Sequence, residues 1–315
     1  MPRVYPPIEG RQTSSTVSPS LIESVAGFTA GIVSTLAVHP FDVVKTRLQI
    51  NNTTKSHLGE SVRIVRDIAK NEGSYRALYR GLMPNMVGNS ISWALYFLWY
   101  GNIKDLARSY RGEGAHLQSS DYFIASGVSG ILTAFFTNPI WVIKTRMLST
   151  GKNAPGAYQS IAHGTRHIWE TEGFKGFYRG LIPSLFGVSH GAIQFMAYEQ
   201  LKNHWSVGRG GKDKLTNFDF LTLSAVSKMF AGSVTYPYQV VRARLQVYNA
   251  GQTYLNARDV VKQVWRNEGT AGFYRGIGPN LIRVLPSTCV TFLVYENTKF
   301  YLPRFLADHE SLHAE

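Results

Sequence analysis

Three segments of the chain follow one pattern: Pro40-Phe-Asp-Val-Val-Lys45-Thr-Arg47, Pro139-Ile-Trp-Val-Ile-Lys144-Thr-Arg146 and Pro237-Tyr-Gln-Val-Val-Arg242-Ala-Arg244. The prolines stand 99 and 98 residues apart, so one unit is written three times in 315 residues. Any fold for this chain must accommodate that repeat. A second element recurs in phase with the first: Glu72-Gly73 leading to Tyr79-Arg80-Gly81, Glu172-Gly173 to Tyr178-Arg179-Gly180, and Glu268-Gly269 to Tyr274-Arg275-Gly276. Each unit has room for two long helices, too few to bury an apolar face alone, so the three read as parts of one domain.

In each unit the pattern predicts a first long helix that runs past the proline motif. A short amphipathic segment follows before the Glu-Gly pair, then a second long helix after Tyr-Arg-Gly. The long helices are expected at 21–50, 82–110, 119–149, 181–205, 217–248 and 277–303, and the surface segments near 58–71, 158–171 and 255–267. In the first surface segment Val62, Val65, Ile68 and Ala69 share a face, with Arg63, Arg66, Asp67 and Lys70 elsewhere. Such a helix lies on a membrane rather than across it. The links Arg111-Gly-Glu-Gly114 and Gly208-Arg-Gly-Gly-Lys212 read as solvated linkers on the opposite face. Small-residue patterns, Gly27-Phe-Thr-Ala-Gly31 and Ser126-Gly-Val-Ser-Gly130, suit close helix packing.

A mean hydropathy of −0.11 and 17% charged residues would ordinarily indicate a soluble protein. Few segments approach the roughly 20 uninterrupted apolar residues of a simple spanning helix. The charges, however, gather in loops, surface segments and a few repeated positions, as in helices that line a water-filled cavity. Lys and Arg outnumber Asp and Glu by 33 to 20, a net +13 that suits anionic lipid or an anionic solute. No zinc spacing, RNP-like strand or basic recognition helix supports nucleic acid as the partner. The single cysteine, Cys289, excludes an internal disulfide framework. The first residues, with Arg3, Glu9 and Arg11, lack both a secretory apolar core and a clear transit-peptide pattern.

With its two in-phase motifs, the chain resembles the mitochondrial carrier family over about residues 20–305. The resemblance implies an all-α membrane protein: a six-transmembrane-helix bundle of three pseudo-symmetric repeats with short surface helices. The expected divisions are a tail to residue 20, repeats at 21–114, 115–212 and 213–305, and a C-terminal tail from 306. Alternating access across the inner mitochondrial membrane is implied, with no chemical change to the cargo. A monomer is expected, with no cofactor and no metal. Cardiolipin at the Tyr-Arg-Gly elements is implied as well, since helix N-termini suit phosphate.

A proline inside a helix removes a hydrogen bond and kinks it, which gives Pro40, Pro139 and Pro237 their expected role. Residues two and five past each proline lie on one helix face. An acid at the first can therefore meet a base at the second on a neighbouring helix and close the cavity floor. Only Asp42 is acidic; its counterparts are Trp141 and Gln239. The family pattern implies that Asp42 pairs with Lys144, leaving Lys45 and Arg242 without carboxylates in this matrix gate, and that Gln49 and Gln246 brace it. At the other end, Tyr198-Glu199-Gln-Leu-Lys202 and Tyr295-Glu296-Asn-Thr-Lys299 match the cytoplasmic-gate pattern, from which Tyr100-Gly101-Asn-Ile-Lys104 departs by lacking an acid. The implied pairs are Lys104 with Glu199 and Lys202 with Glu296.

Lys228 stands nine residues before Pro237, where the other repeats have Gly31 and Gly130. An ammonium at that depth is costly and points to function. By resemblance Arg283 sits near a third substrate contact point, and Phe186, Gly187, His190 and Gln194 surround a second. There an aromatic could stack on a flat ring. Gly88, Asn89 and Ser92 on helix two suggest room rather than grip. A Trp at position 141 resembles carriers of large, flat, anionic cofactors. The strings around Lys228, Gln246 and Ser189–Glu199 resemble the flavin and folate branch. FAD is the expected cargo, with folate the nearest alternative, followed by NAD and pyrimidine nucleotides. A non-transporting scaffold is the competing class, and no constellation of catalytic groups points to an enzyme.

Overall fold

The computed structural model describes residues 19–50, 59–72, 75–111, 118–151, 154, 156–209, 215–247 and 253–313. Arg3, Glu9, Arg11, Gly73 and the linker residues 112–114 and 210–212 lie outside these. Every regular element among the described residues is helical.

In the first repeat α1 is Pro19–Ile50, α2 is Glu60–Asn71 and α3 is Leu82–Arg111, with a single 3-10 turn at Tyr75–Tyr79 before α3. The second repeat contains α4 (Ser119–Ser149), α5 (Ile161–Gly176), α6 (Leu181–Leu185) and α7 (Gly187–Arg209). In the third are α8 (Asn217–Val234), α9 (Tyr236–Gln246), α10 (Ala257–Gly272), α11 (Ile277–Ile282) and α12 (Val284–His313). Contacts divide the chain into two units: Thr35–Thr288, and Met1–Ser34 with Cys289–Glu315. Within the smaller unit Lys299 Nζ reaches Glu23 Oε1 at 3.4 Å.

The structure differs from the sequence expectation in the last three long helices, each of which is interrupted. The break at Thr235 precedes Pro237, whose missing N–H deprives the Ser233 carbonyl of its helical donor. The break at Arg283 precedes Pro286, which does the same to Ile282. At Phe186 the carbonyl is taken by both the amide (3.2 Å) and the hydroxyl (2.6 Å) of Ser189, a local tightening of the turn. α1 and α4 continue through Pro40 and Pro139.

Each repeat in the larger unit has its own apolar cluster, built where the proline motif meets the surface helix. Val43, Val44 and Leu48 pack with Ile68 and Leu78. Val142, Ile143 and Met147 pack with Ile168 and Phe177, and Val241 and Leu245 with Val260 and Val264. The two apolar residues directly before the base in each motif are thus buried core residues. In α2 the buried face runs through Ile64, Val65 and Ile68, while Val62 is exposed, contrary to the expected face. Of the small-residue positions, Gly130 approaches Val188, whereas side chains placed at Gly27 and Gly31 would meet nothing within 4 Å.

The glycines of the second motif have a backbone reason. Gly81, Gly180 and Gly276 have φ of 76°, 74° and 81° at the starts of α3, α6 and α11, a region costly for other residues. Gly173 and Gly269 break helical geometry in the same φ range, ending the regular turns of α5 and α10.

Among the described residues three helical stretches, Ile22–Ile50, Ser120–Ser149 and Ile277–Pro303, the last spanning the break at Arg283, are long and apolar enough to cross a membrane. The other long helices carry exposed aromatics such as Trp93, Phe97, Phe195, Phe218 and Phe230, which are a liability in water and a suitable face for lipid.

Candidate functional site

The two sequence motifs are joined by ion pairs. The last arginine of each basic motif reaches the glutamate of its own Glu-Gly element: Arg47 to Glu72, Arg146 to Glu172 and Arg244 to Glu268, each at 2.5 Å. The same three arginines donate from Nε to the next repeat: Arg47 to Leu148 O (3.2 Å), Arg146 to Gln246 O (3.1 Å) and Arg244 to Gln49 O (3.0 Å). These contacts form a closed cycle, one to two, two to three and three to one. The sequence shows both motifs in phase but does not show which side chains meet.

A second threefold feature was hidden because three residue types perform it. The residue before each proline holds the carbonyl of the Tyr-Arg-Gly arginine in its own repeat. His39 Nε2 contacts Arg80 O at 2.9 Å, Asn138 Nδ2 donates to Arg179 O at 3.3 Å, and Tyr236 Oη donates to Arg275 O at 2.9 Å. His39 Nδ1 lies 3.4 Å from Asn85 Nδ2, so the carbonyl and the amide together favour the Nε2–H tautomer.

On this frame sits a cavity of about 320 Å³ lined by Lys45, Lys144, Arg242 and Arg283, together with Trp141, His190, Gln239, Gln49 and Gln246. No carboxylate is among its described lining residues. Expected gate residues and expected substrate residues therefore meet in one chamber. Arg283 carries the ion pair to Asp42, Nη1 to Oδ1 at 2.5 Å. That corrects the expected Asp42–Lys144 pairing. Lys144 Nζ instead stands 4.9 Å from the Trp141 ring centroid, and the Arg242 guanidinium lies 5.9 Å from the same ring. Trp141, which replaces an acid, thus draws Lys144 to its face and leaves Asp42 to the longer guanidinium. Lys45 donates to Gln239 Oε1 and Asn280 Oδ1, both at 2.8 Å. Gln246 accepts from Thr145 Oγ1 at 2.8 Å.

Other expected site residues fall around this chamber. His190 Nδ1 contacts Thr235 Oγ1 at 2.9 Å. Lys228 is half-buried and lies within electrostatic range of His190 and Arg283. Ser92 and Gly187 line a neighbouring cavity. Gly88 provides room, and Trp141 uses it: a Cβ there would come within 3.5 Å of the indole and 3.1 Å of Ile140. Phe186, 62% exposed, and Gln194, half-buried, line neither cavity.

Within each unit the residues expected at the cytoplasmic gate make local contacts. Lys104 Nζ stands 4.6 Å from the Tyr100 ring and makes no ion pair with Glu199. Glu199 lies 3.9 Å from Lys202, one turn along its own helix. Glu296 shares α12 with Lys299, whose ammonium reaches Glu23. In this structure Lys104 and Glu199 make these local contacts in place of the bridge expected of a closed gate.

Three helical repeats, exposed aromatics on the long helices and a cation-lined chamber fit a membrane transporter built by triplication. The sequence matches the mitochondrial carrier protein family model over residues 17–111, 115–208 and 213–306. The chain belongs to the mitochondrial carrier family; it is a multi-pass membrane carrier, in a family of transporters rather than enzymes. It is 40% identical over 300 residues to the mitochondrial FAD carrier protein FLX1 of Saccharomyces cerevisiae, covering 89% of this chain and 96% of that protein. It is 38% identical over 289 residues to folate transporter 1, chloroplastic, of Arabidopsis thaliana, covering 87% and 93%. Over 283 residues it is 38% identical to nicotinamide adenine dinucleotide transporter 2, mitochondrial, of the same plant, covering 86% and 77%.

Proposed function

We propose that the protein carries FAD across the inner mitochondrial membrane by alternating access, acting as a monomer with cardiolipin at its Tyr-Arg-Gly elements. The observation that carries this reading is the chamber with four cationic side chains and no described carboxylate, which favours an anionic cargo such as a pyrophosphate. The relative named as an FAD carrier, matched over nearly its full length, supports the choice of cargo. Folate and NAD are the competing cargoes, since relatives named for them are almost as similar.

The ion pair suggests how cargo and gate are coupled. Arg283 holds Asp42; an entering phosphate competes for the same guanidinium, and Asp42 is released. Binding energy is then spent on opening the gate, as population shift requires. Lys228 draws the anion inward, and His190 contacts it from α7.

The test is uptake into liposomes containing the purified protein, comparing labelled FAD, folate, NAD and UTP with and without unlabelled compound inside. Saturable FAD uptake supports the reading. Uptake of folate or NAD without FAD overturns the cargo while leaving the carrier, and no uptake by folded protein favours a scaffold.

A further inference from the structure

Beside the cationic chamber lies a second cavity, of about 330 Å³, with a different chemistry. Trp141, Tyr238 and Arg242 line both cavities. The rest of the second is lined by small and hydroxyl-bearing residues, notably Ser92, Thr133 and Thr137.

These hydroxyls are not equivalent. Thr137 Oγ1 donates to Thr133 O at 2.8 Å and accepts from Trp141 Nε1 at 3.1 Å, so it is satisfied and fixes the indole. Ser92 Oγ and Thr133 Oγ1 are buried without a hydrogen-bond partner, as is Arg242 Nε. Thr133 is only 8% exposed. One turn away, Ser129 donates to Ala125 O at 2.6 Å, the usual way for a helix hydroxyl to be satisfied. Leaving a buried hydroxyl unpaired costs about 1–3 kcal/mol. Three unpaired polar atoms on residues that line one cavity can be satisfied by a ligand with polar atoms of its own, or by water.

The aromatic wall is held by the Trp141 bond to Thr137 and by the close approach of Tyr238 to Gly187. A Cβ at Gly187 would come within 3.1 Å of Tyr238 Oη, and one at Gly88 within 3.5 Å of Trp141. Two rings held in this way suit a flat heterocycle better than a flexible chain.

We propose that this second cavity is a ring subsite: the substrate's flat heterocycle lies against Trp141 and Tyr238 with its polar edge read by Ser92 and Thr133, while its anionic part passes Arg242 into the cationic chamber. This inference rests on the reading of a ring-bearing anionic cargo and divides that cargo between two chambers. Specificity for the ring then resides in α3 and α4, and attraction for the charge in Lys45, Lys144 and Arg283.

The full-length purified protein tests this through ligand-induced rises in thermal midpoint. The probes are FAD, riboflavin as a ring without phosphate, and inorganic pyrophosphate as charge without a ring. Thr133→Val, which keeps the shape, should weaken protection by riboflavin and FAD about three- to tenfold while leaving pyrophosphate unchanged. Ser92→Ala should act alike, and Lys144→Ala should show the opposite pattern. A purely structural role for Thr133 would lower the unliganded midpoint and weaken all three ligands together, overturning the subsite. Protection by FAD without any by riboflavin would also overturn it, leaving the cargo reading intact. If folate or NAD protects in place of FAD and Thr133→Val weakens that ligand, the cargo reading fails and the subsite stands. No protection by any ring-bearing compound would defeat both.

Discussion

The Asp42–Arg283 pair gives a direct test of the gate. Asp42→Asn removes the charge while keeping the shape, leaving Arg283 beside a chamber that already holds Lys45, Lys144 and Arg242. Removing one partner of a fully buried pair costs about 3–5 kcal/mol, whereas an exposed pair is worth about 0–1 kcal/mol. Side-chain exposures of 12% for Asp42 and 31% for Arg283 lie between these limits. The expected loss is therefore about 1–3 kcal/mol. For a chain of this length that is a fall in thermal midpoint of about 2–6 °C. The measurement is a double-mutant cycle by thermal unfolding without substrate, so that cargo binding does not enter. Adding Arg283→Gln to Asp42→Asn should cost little more, giving a coupling of at least about 1 kcal/mol, while the cycle with Lys144→Gln should give less than about half that. Stronger coupling to Lys144 than to Arg283 would refute the assignment and restore the pairing implied by the family pattern.

Lys228→Ala should reduce anion uptake into liposomes by at least about tenfold without lowering protein yield; unchanged uptake would remove this ammonium from the transport path. Glu268→Gln should lower the thermal midpoint more than Glu72→Gln, because the Arg244–Glu268 side chains are 2% and 6% exposed and the Arg47–Glu72 side chains 15% and 16%. Equal losses would show that burial does not set the worth of these pairs. On surface helix α5, burial pushes the Glu172 carboxyl up, but the hydrogen bond and charge of Arg146, with the charge of Arg179, outweigh it and hold the group below its ordinary 4.5. The resulting stability is present above that value and lost as pH falls through the lowered one. Midpoints measured below about pH 4.5 should fall less steeply in Glu172→Gln than in the unchanged protein, and parallel curves would contradict the assignment.

What could be read from the sequence followed from recurrence and amphipathic spacing. The three prolines, the in-phase glutamates and the lone Lys228 were visible because the repeats can be compared with one another. Asp42's partner was not, because Arg283 lies 241 residues away and competes with Lys144 for the same carboxylate. The outcome goes with Lys144 standing 4.9 Å from the Trp141 ring centroid, a tertiary arrangement with no signature in either local segment. The unpaired hydroxyls of Ser92 and Thr133 were equally invisible, since most helix serines and threonines bond back to their own backbone. Proline chemistry predicted kinks at three equivalent places, but of these three helices only the third is interrupted there, at Thr235.

The residues before the three prolines show how the repeats can diverge without losing symmetry. An imidazole, an amide and a phenol each hold the same main-chain oxygen, so the symmetry persists in the bonding pattern after it has vanished from the alphabet. Selection at positions 39, 138 and 236 need act only on the ability to donate a hydrogen bond across a set gap. Exchanges among donors of suitable length are open to evolution there, and a hydrocarbon is not. A search for triplicated proteins that compares letters alone will therefore underestimate how alike their repeats remain.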